Sequence, residues 1–222
     1  MSRARGFSLV EVMLATALLA AGLALAFAAL RNATQATTAA EEGARRAERL
    51  RAVQAFMRRQ LEGAMALPVE APAPGRDLVV FEASADRLRF VAPMPGYLSQ
   101  GGPHVNTFEL VRGAGGLRLE FRHELLAPEG PVESDRPPEV LLEGLAEAAF
   151  DVRALGPDGL PQPWQSDWEN TAEVPRLVRL RARFAEPRAR WPELVVAPRV
   201  GQTALAVLPL PTAPPDDDGV ER

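Results

Sequence analysis

Proline is distributed over this chain with a sharp edge: all 21 prolines lie at or beyond Pro68, and none occurs in the first 67 residues. A proline inside a helix removes a backbone hydrogen bond and clashes with the preceding turn, so only the stretch before Pro68 can run as one uninterrupted helix. Beyond it, frequent Pro and Gly break the backbone into short segments joined by turns. The 222 residues therefore divide into a helix-compatible N-terminal part and a turn-rich remainder of ordinary domain size.

The helix-compatible part is itself two-toned. After MSRARG, with Arg3 and Arg5, residues 7–30 read FSLVEVMLATALLAAGLALAFAAL, whose only charge is Glu11. A bilayer-spanning helix needs about 20 apolar residues, so this run is long enough to cross. The two arginines ahead of it place the N-terminus in the cytoplasm and the rest of the chain outside. A cleaved secretory signal is the competing reading, with Ala24 and Ala26 as small residues near a cut. Glu11 argues against it, because an acidic residue in the apolar run costs about 2.5–3.5 kcal/mol at the membrane centre, which a disposable signal has no reason to carry. No Arg lies between Arg5 and Arg31, so the expected partner of Glu11 is a free amine or another subunit.

From residue 31 to 67 the chain turns polar but stays helix-compatible. Leu50, Val53, Met57, Leu61 and Ala64 recur at the spacing of one buried helix face, while Arg51, Arg58, Arg59 and Glu62 fall off it. A membrane-surface role for Leu50 to Met65 is the weaker alternative, since the stretch continues the spanning helix and a sheet follows it. Run unbroken from Phe7 to Leu67, such a helix would be about 90 Å long.

Residues 68–208 read as strands. LVVFE (78–82), RLRFVA (87–92), NTFELVR (106–112), EVLLEG (139–144), AAFDVRAL (148–155) and TALAVL (203–208) are short apolar or alternating runs. The clearest hairpin turns at RGAGG into LRLEFRHEL (117–125), with Leu117, Leu119 and Phe121 alternating against Arg118, Glu120 and Arg122. LVRLRARF (177–184) alternates as strictly and puts Arg179, Arg181 and Arg183 on the wet face. The tail 209–222 ends in PTAPPDDDGVER (211–222), which lacks core residues, and is expected to be disordered. The fold class is α+β: a long N-terminal helix, transmembrane in its first half, packed on an antiparallel sheet domain.

Composition excludes much chemistry. There is no Cys, hence no disulfide, thiol nucleophile, thiolate zinc site or lipoprotein anchor. A net charge of -4, with all 25 basic residues Arg, gives no nucleic-acid footprint. His104 and His123 stand without any G-x-S-x-G or H-E-x-x-H, so no catalytic residue, cofactor or metal is expected. Asp216, Asp217 and Asp218 have calcium-compatible oxygens but no EF-hand spacing, and read as a solvated terminus. Trp164 and Trp168 read as core filling ahead of an interface.

RGFSLVEVMLATALLAAG resembles the type IV prepilin signal: a basic leader ending in Gly6, then Phe7, then an apolar helix with Glu11 at its fifth position. The resemblance implies cleavage between Gly6 and Phe7 by a prepilin peptidase and N-methylation of Phe7. It also implies neutralisation of one subunit's Phe7 amine by a neighbour's Glu11. The stretch LLEGLAEAAFDVRALGPDGLPQPWQSDWENTAEVPRLVRLRARF is similar to the C-terminal half of the J-type minor pseudopilins of type II secretion systems. That resemblance covers residues 1–67 and 139–184. It implies a non-enzymatic subunit of the tip complex that initiates the pseudopilus for export across the outer membrane. Its implied partners are the I-type and K-type minor pseudopilins, the H-type as a further one, the major pseudopilin and the prepilin peptidase. The implied location is the bacterial inner membrane, single-pass, with the C-terminal domain periplasmic. K-type subunits typically lack the Glu, so Glu11 places this chain below the topmost position. A minor pilin of a type IV pilus, and a membrane-anchored periplasmic binding module or enzyme, are the alternatives.

Overall fold

A computed structural model of the chain describes residues 8–71, 75–94, 96, 101–187 and 189–199. Helix α1 spans Leu9–Glu62. It stops five residues short of the expected end at Leu67, because the backbone is captured by the sheet: the Met65 N–H donates to the Val91 carbonyl at 2.8 Å. The chain forms two compact units that divide within α1, after Arg51.

In the first unit, every described residue up to Arg49 is exposed. Leu9 is 78% and Phe27 76% exposed, so the apolar run is left uncovered. Its threonine hydroxyl is satisfied internally. Thr16 donates back to the Val12 and Met13 carbonyls, both at 3.0 Å, which leaves no orphan donor on the apolar surface.

The second unit holds α1 from Ala52 onward and eight antiparallel strands. They are β1 (Phe81–Ala83), β2 (Arg87–Pro93), β3 (Pro103–Gly113), β4 (Gly116–Ala127), β5 (Gly130–Val132), β6 (Glu139–Arg153), β7 (Leu177–Phe184) and β8 (Leu194–Val196). The sheet order is β1-β2-β3-β4-β6-β7-β8, with β5 paired to β4. The predicted hairpin is present, turning through Ala114 and Gly115 between the paired Gly113 and Gly116.

Two expected strands, EVLLEG and AAFDVRAL, are one: β6 runs through both. Gly144, at a φ of 69°, and a register shift between Leu145 and Glu147 bend the strand without ending it. Gly116 faces this bend. With a φ of 107°, it approaches β6 so closely that an added Cβ would sit 2.6 Å from the Leu145 carbonyl oxygen. The three-residue β5 and β8 have no counterpart among the expected strands. TALAVL and the tail 209–222 lie outside the described residues.

The core confirms the helix face. Val53, Met57, Leu61 and Ala64 are buried, Leu50 partly so, and Arg51, Arg58 and Arg59 exposed. Phe56 joins them: its ring meets Phe108 and Phe121 edge-on at 6.2 and 4.9 Å, and Phe108 continues into Phe90 and Phe81. Within this face the Asn106 amide donates to the buried Gln60 carbonyl oxygen at 3.0 Å. On the opposite side of the strands, Val91 and Val105 pack with Val69, covered by Leu67, Val79 and Leu126, where the segment after the helix returns over the sheet. Glu120, expected on the wet face, is buried and paired with Arg118.

Candidate functional site: the helix start and a charged sheet face

Ser8 precedes the helix and caps it. The Glu11 N–H donates to the Ser8 hydroxyl at 3.3 Å and to its carbonyl at 3.0 Å, and the Val12 N–H donates to the same carbonyl at 3.3 Å. Glu11 therefore stands in the first turn. The unpaired N–H groups of that turn form the positive end of the helix dipole, which favours a carboxylate there by about 0.3–1 kcal/mol. The helix thus supplies a compensation that sequence reading assigned wholly to other molecules. Gly6 and Phe7 lie outside the described residues. Glu11, Val12, Ala15, Thr16 and Leu19 lie together on one exposed face of α1.

The second feature lies on β6 and β7. Asp151 is 4% exposed. Its carboxylate accepts from Arg181 Nε at 2.6 Å, Arg179 Nε at 3.1 Å and the Ser166 hydroxyl at 3.3 Å. Burial alone would raise the Asp151 carboxyl. Hydrogen bonds from Arg181 and Arg179, together with their charges, outweigh it and hold the group below its ordinary value. Arg179, Arg181 and Arg183 share the face opposite the buried Val178 and Leu180 as expected, but Arg179 is partly covered there, its side chain 18% exposed, while Arg181 and Arg183 are exposed. The Arg153 and Arg179 guanidiniums both lie over the Trp164 ring, at 4.6 and 4.2 Å from its centroid.

These contacts pin the long β6–β7 loop. Trp168, a buried residue of this loop, donates its indole N–H to the Glu173 carbonyl at 2.9 Å. Packing thus describes Trp168, whereas Trp164 is half-buried in a cation stack that spacing alone could not reveal. The role of Trp191, buried with its indole donating to Leu180, was likewise missed.

The two histidines come together on β3 and β4, ring centroids 5.5 Å apart. Counting register outward from the two-residue turn would have found them, since Asn106 pairs with His123 and His104 with Leu125. His104 is buried and its Nδ1 lies 3.1 Å from the Gly102 carbonyl. Burial first, then His104 and Arg136, lowers the His123 pKa, with Glu139 opposing. Among the described residues no group of three or more His, Asp or Glu is arranged to hold a metal.

The N-terminal stretch, residues 1–27, matches the prokaryotic N-terminal methylation motif. Over 198 residues the chain is 36% identical to the type II secretion system protein J of Xanthomonas campestris pv. campestris, covering 88% of this chain and 93% of that one. The chain belongs to the type II secretion system protein J family. As a J-family member it is a minor pseudopilin, and the apolar first half of α1 is its membrane anchor. A solved chain from the GspK-GspI-GspJ complex of the enterotoxigenic Escherichia coli type 2 secretion system overlaps this J-family chain more loosely. The TM-score is 0.45 at 13% identity, covering 68% of this chain and 94% of that chain.

Proposed function

We propose that this J-type minor pseudopilin is a non-enzymatic subunit of the pseudopilus tip complex, initiating pseudopilus assembly together with I-type, K-type and H-type partners. The observation that carries the reading is the division of labour along one helix. Its first half exposes every apolar side chain behind the Gly6–Phe7–x–x–x–Glu11 spacing, while its last turns are buried in a folded sheet domain. A chain built this way offers an uncovered apolar rod for lateral packing and a rigid head for contact with neighbours.

In this reading residues 1–6 are a leader removed by the prepilin peptidase, and Phe7 is then N-methylated. Residues 7–30 span the inner membrane with the N-terminus cytoplasmic. Residues 31–67 form the periplasmic amphipathic stretch, 68–208 the β-rich head and 209–222 a tail. The Phe7 amine of one subunit meets the Glu11 carboxylate of the next, a charge pair that completes what the helix dipole begins. Retention of Glu11 fits a place below the topmost subunit, with the major pseudopilin following. The resemblance of the homologue in X. campestris supports secretion over a type IV pilus.

The test is binding between the domain from residue 31 onward and the soluble domains of the I-type and K-type subunits of the same secretion system. A stable complex on size exclusion is expected. Failure to bind either, alone or together, contradicts the tip placement.

A further inference from the structure

The chain has only two histidines, and the register of β3 and β4 brings both to one face of the sheet. His104 and Asn106 alternate onto the same face of β3, and Asn106 pairs with His123 on β4. We propose that His104 and His123, with the side-chain oxygen of Asn106, form a binding site for a borderline divalent metal ion of the Zn²⁺ class.

Spacing is the first support. An imidazole nitrogen binds zinc at about 2.0–2.1 Å, so a tetrahedral ion shared by two rings sets their centroids roughly 5 Å apart. Here the centroids lie 5.5 Å apart, with the ring planes inclined at 61°. The second support is orientation. His104 Nδ1 lies 3.1 Å from the Gly102 carbonyl, which can only accept, so the ring proton sits on Nδ1 and Nε2 carries the lone pair. Backbone carbonyls hold metal-binding imidazoles in this way. The third is an orphaned oxygen. Asn106 is fully buried and its amide N–H donates to Gln60, yet its Oδ1 has no hydrogen-bond partner among the described residues. A buried acceptor left in that state is costly, and a cation beside it satisfies it. Access comes from the His123 side. That half-buried ring lines an open cavity of about 440 Å³ with Phe56, Phe121, Arg136 and Glu139, from which water can complete the coordination. Arg136 opposes a cation there and Glu139 favours one, so these two charges offset each other. Two imidazoles and one amide oxygen suit zinc and its neighbours, whereas magnesium and calcium want oxygen ligands throughout.

The experiment uses the full-length chain in detergent micelles, purified without a histidine tag, stripped with chelator and carrying isotope-labelled histidine. Zinc chloride is titrated in at neutral pH while NMR follows the two imidazole signals. Both signals should shift together and saturate at one ion per chain, and magnesium chloride should move neither. His123→Gln, at a half-buried position, should weaken zinc binding at least about ten-fold, since losing a ligand costs no less than losing its orienting partner. His104→Gln should give the same loss from the other ring, with circular dichroism checking that each variant keeps its fold. A shift of one ring alone, no shift up to millimolar zinc, or wild-type binding by a folded His123→Gln overturns the proposal. Should both variants fail to fold, the wild-type titration decides by itself.

Discussion

The two halves of α1 share one backbone and differ in everything that stabilises them. From Leu9 to Arg49 no described side chain is covered, and Leu18, Leu19 and Leu23 are each at least 60% exposed. From Val53 to Leu61 the same helix buries Val53, Met57, Gln60 and Leu61 against Phe-rich strands. Apolar content does not separate them, since the exposed half is the more apolar. The difference lies in whether the chain itself provides the covering surface. The second half is held by its own domain, and the first waits for lipid or for other subunits.

Breaking the buried half should cost most. Phe108→Ala removes the ring at the centre of the Phe56, Phe90 and Phe121 contacts and is expected to destabilise the domain by about 3–5 kcal/mol in urea unfolding. Gly116→Ala comes next, at about 1–3 kcal/mol for the strained φ of 107° before the clash with the Leu145 carbonyl is counted.

The polar tie between helix and sheet gives a smaller effect. Gln60→Leu leaves the buried Asn106 amide without its acceptor, a loss of about 1–3 kcal/mol. Replacing Asn106 by Leu as well should recover part of it, because no donor is then orphaned. A double variant no more stable than Gln60→Leu would show that the pair is not coupled.

Asp151 sharpens the comparison by pH. Its folded pKa lies below the ordinary value of 3.8, so the unfolded chain takes up the proton first. The stabilisation is complete above that value and is lost as pH falls through it toward the lower folded pKa. Asp151→Asn should therefore flatten the acid limb of stability of the domain below about pH 4. His123 acts nearer neutrality with the same sign: its lowered pKa means that stability declines as pH falls below 6.5.

The smallest effect belongs to the exposed half. A chain starting at residue 31 should match the melting of the full-length domain within about 0.5 kcal/mol, because residues 9–30 are all exposed. Circular dichroism and urea titration of the truncated chain check this. A large loss would mean that the anchor supports the head.

How much of this was legible varies with the range of the interaction. Helix existence, its two-toned character and the face from Val53 to Ala64 follow from proline absence and from local periodicity, which tertiary contacts reinforce. The β3–β4 hairpin and β7 were equally readable, since alternation and a Gly-rich turn are local signals. The β6 strand was split at Gly144 because a glycine reads as a turn, and only pairing on both sides shows it to be a bend. Alternation gives the face of Arg179 and Glu120 but not their cover, since Arg179 is largely shielded beside Asp151 and Glu120 is buried beside Arg118. The contact of Trp164 with the Arg153 and Arg179 guanidiniums depends on a loop folding back over the sheet, which no spacing encodes. At the helix start the motif residues were evident, but the cap by Ser8 and the position of Glu11 in the first turn needed the boundary itself.

The central claim is that the exposed half is an anchor made for processing and assembly, and it is tested most directly by the mass of the mature N-terminus. Protein extracted from membranes of cells carrying the prepilin peptidase should begin at Phe7 and bear one methyl group on its α-amine. An intact MSRARG leader, or a terminus near Ala26 as left by an ordinary signal peptidase, would contradict it.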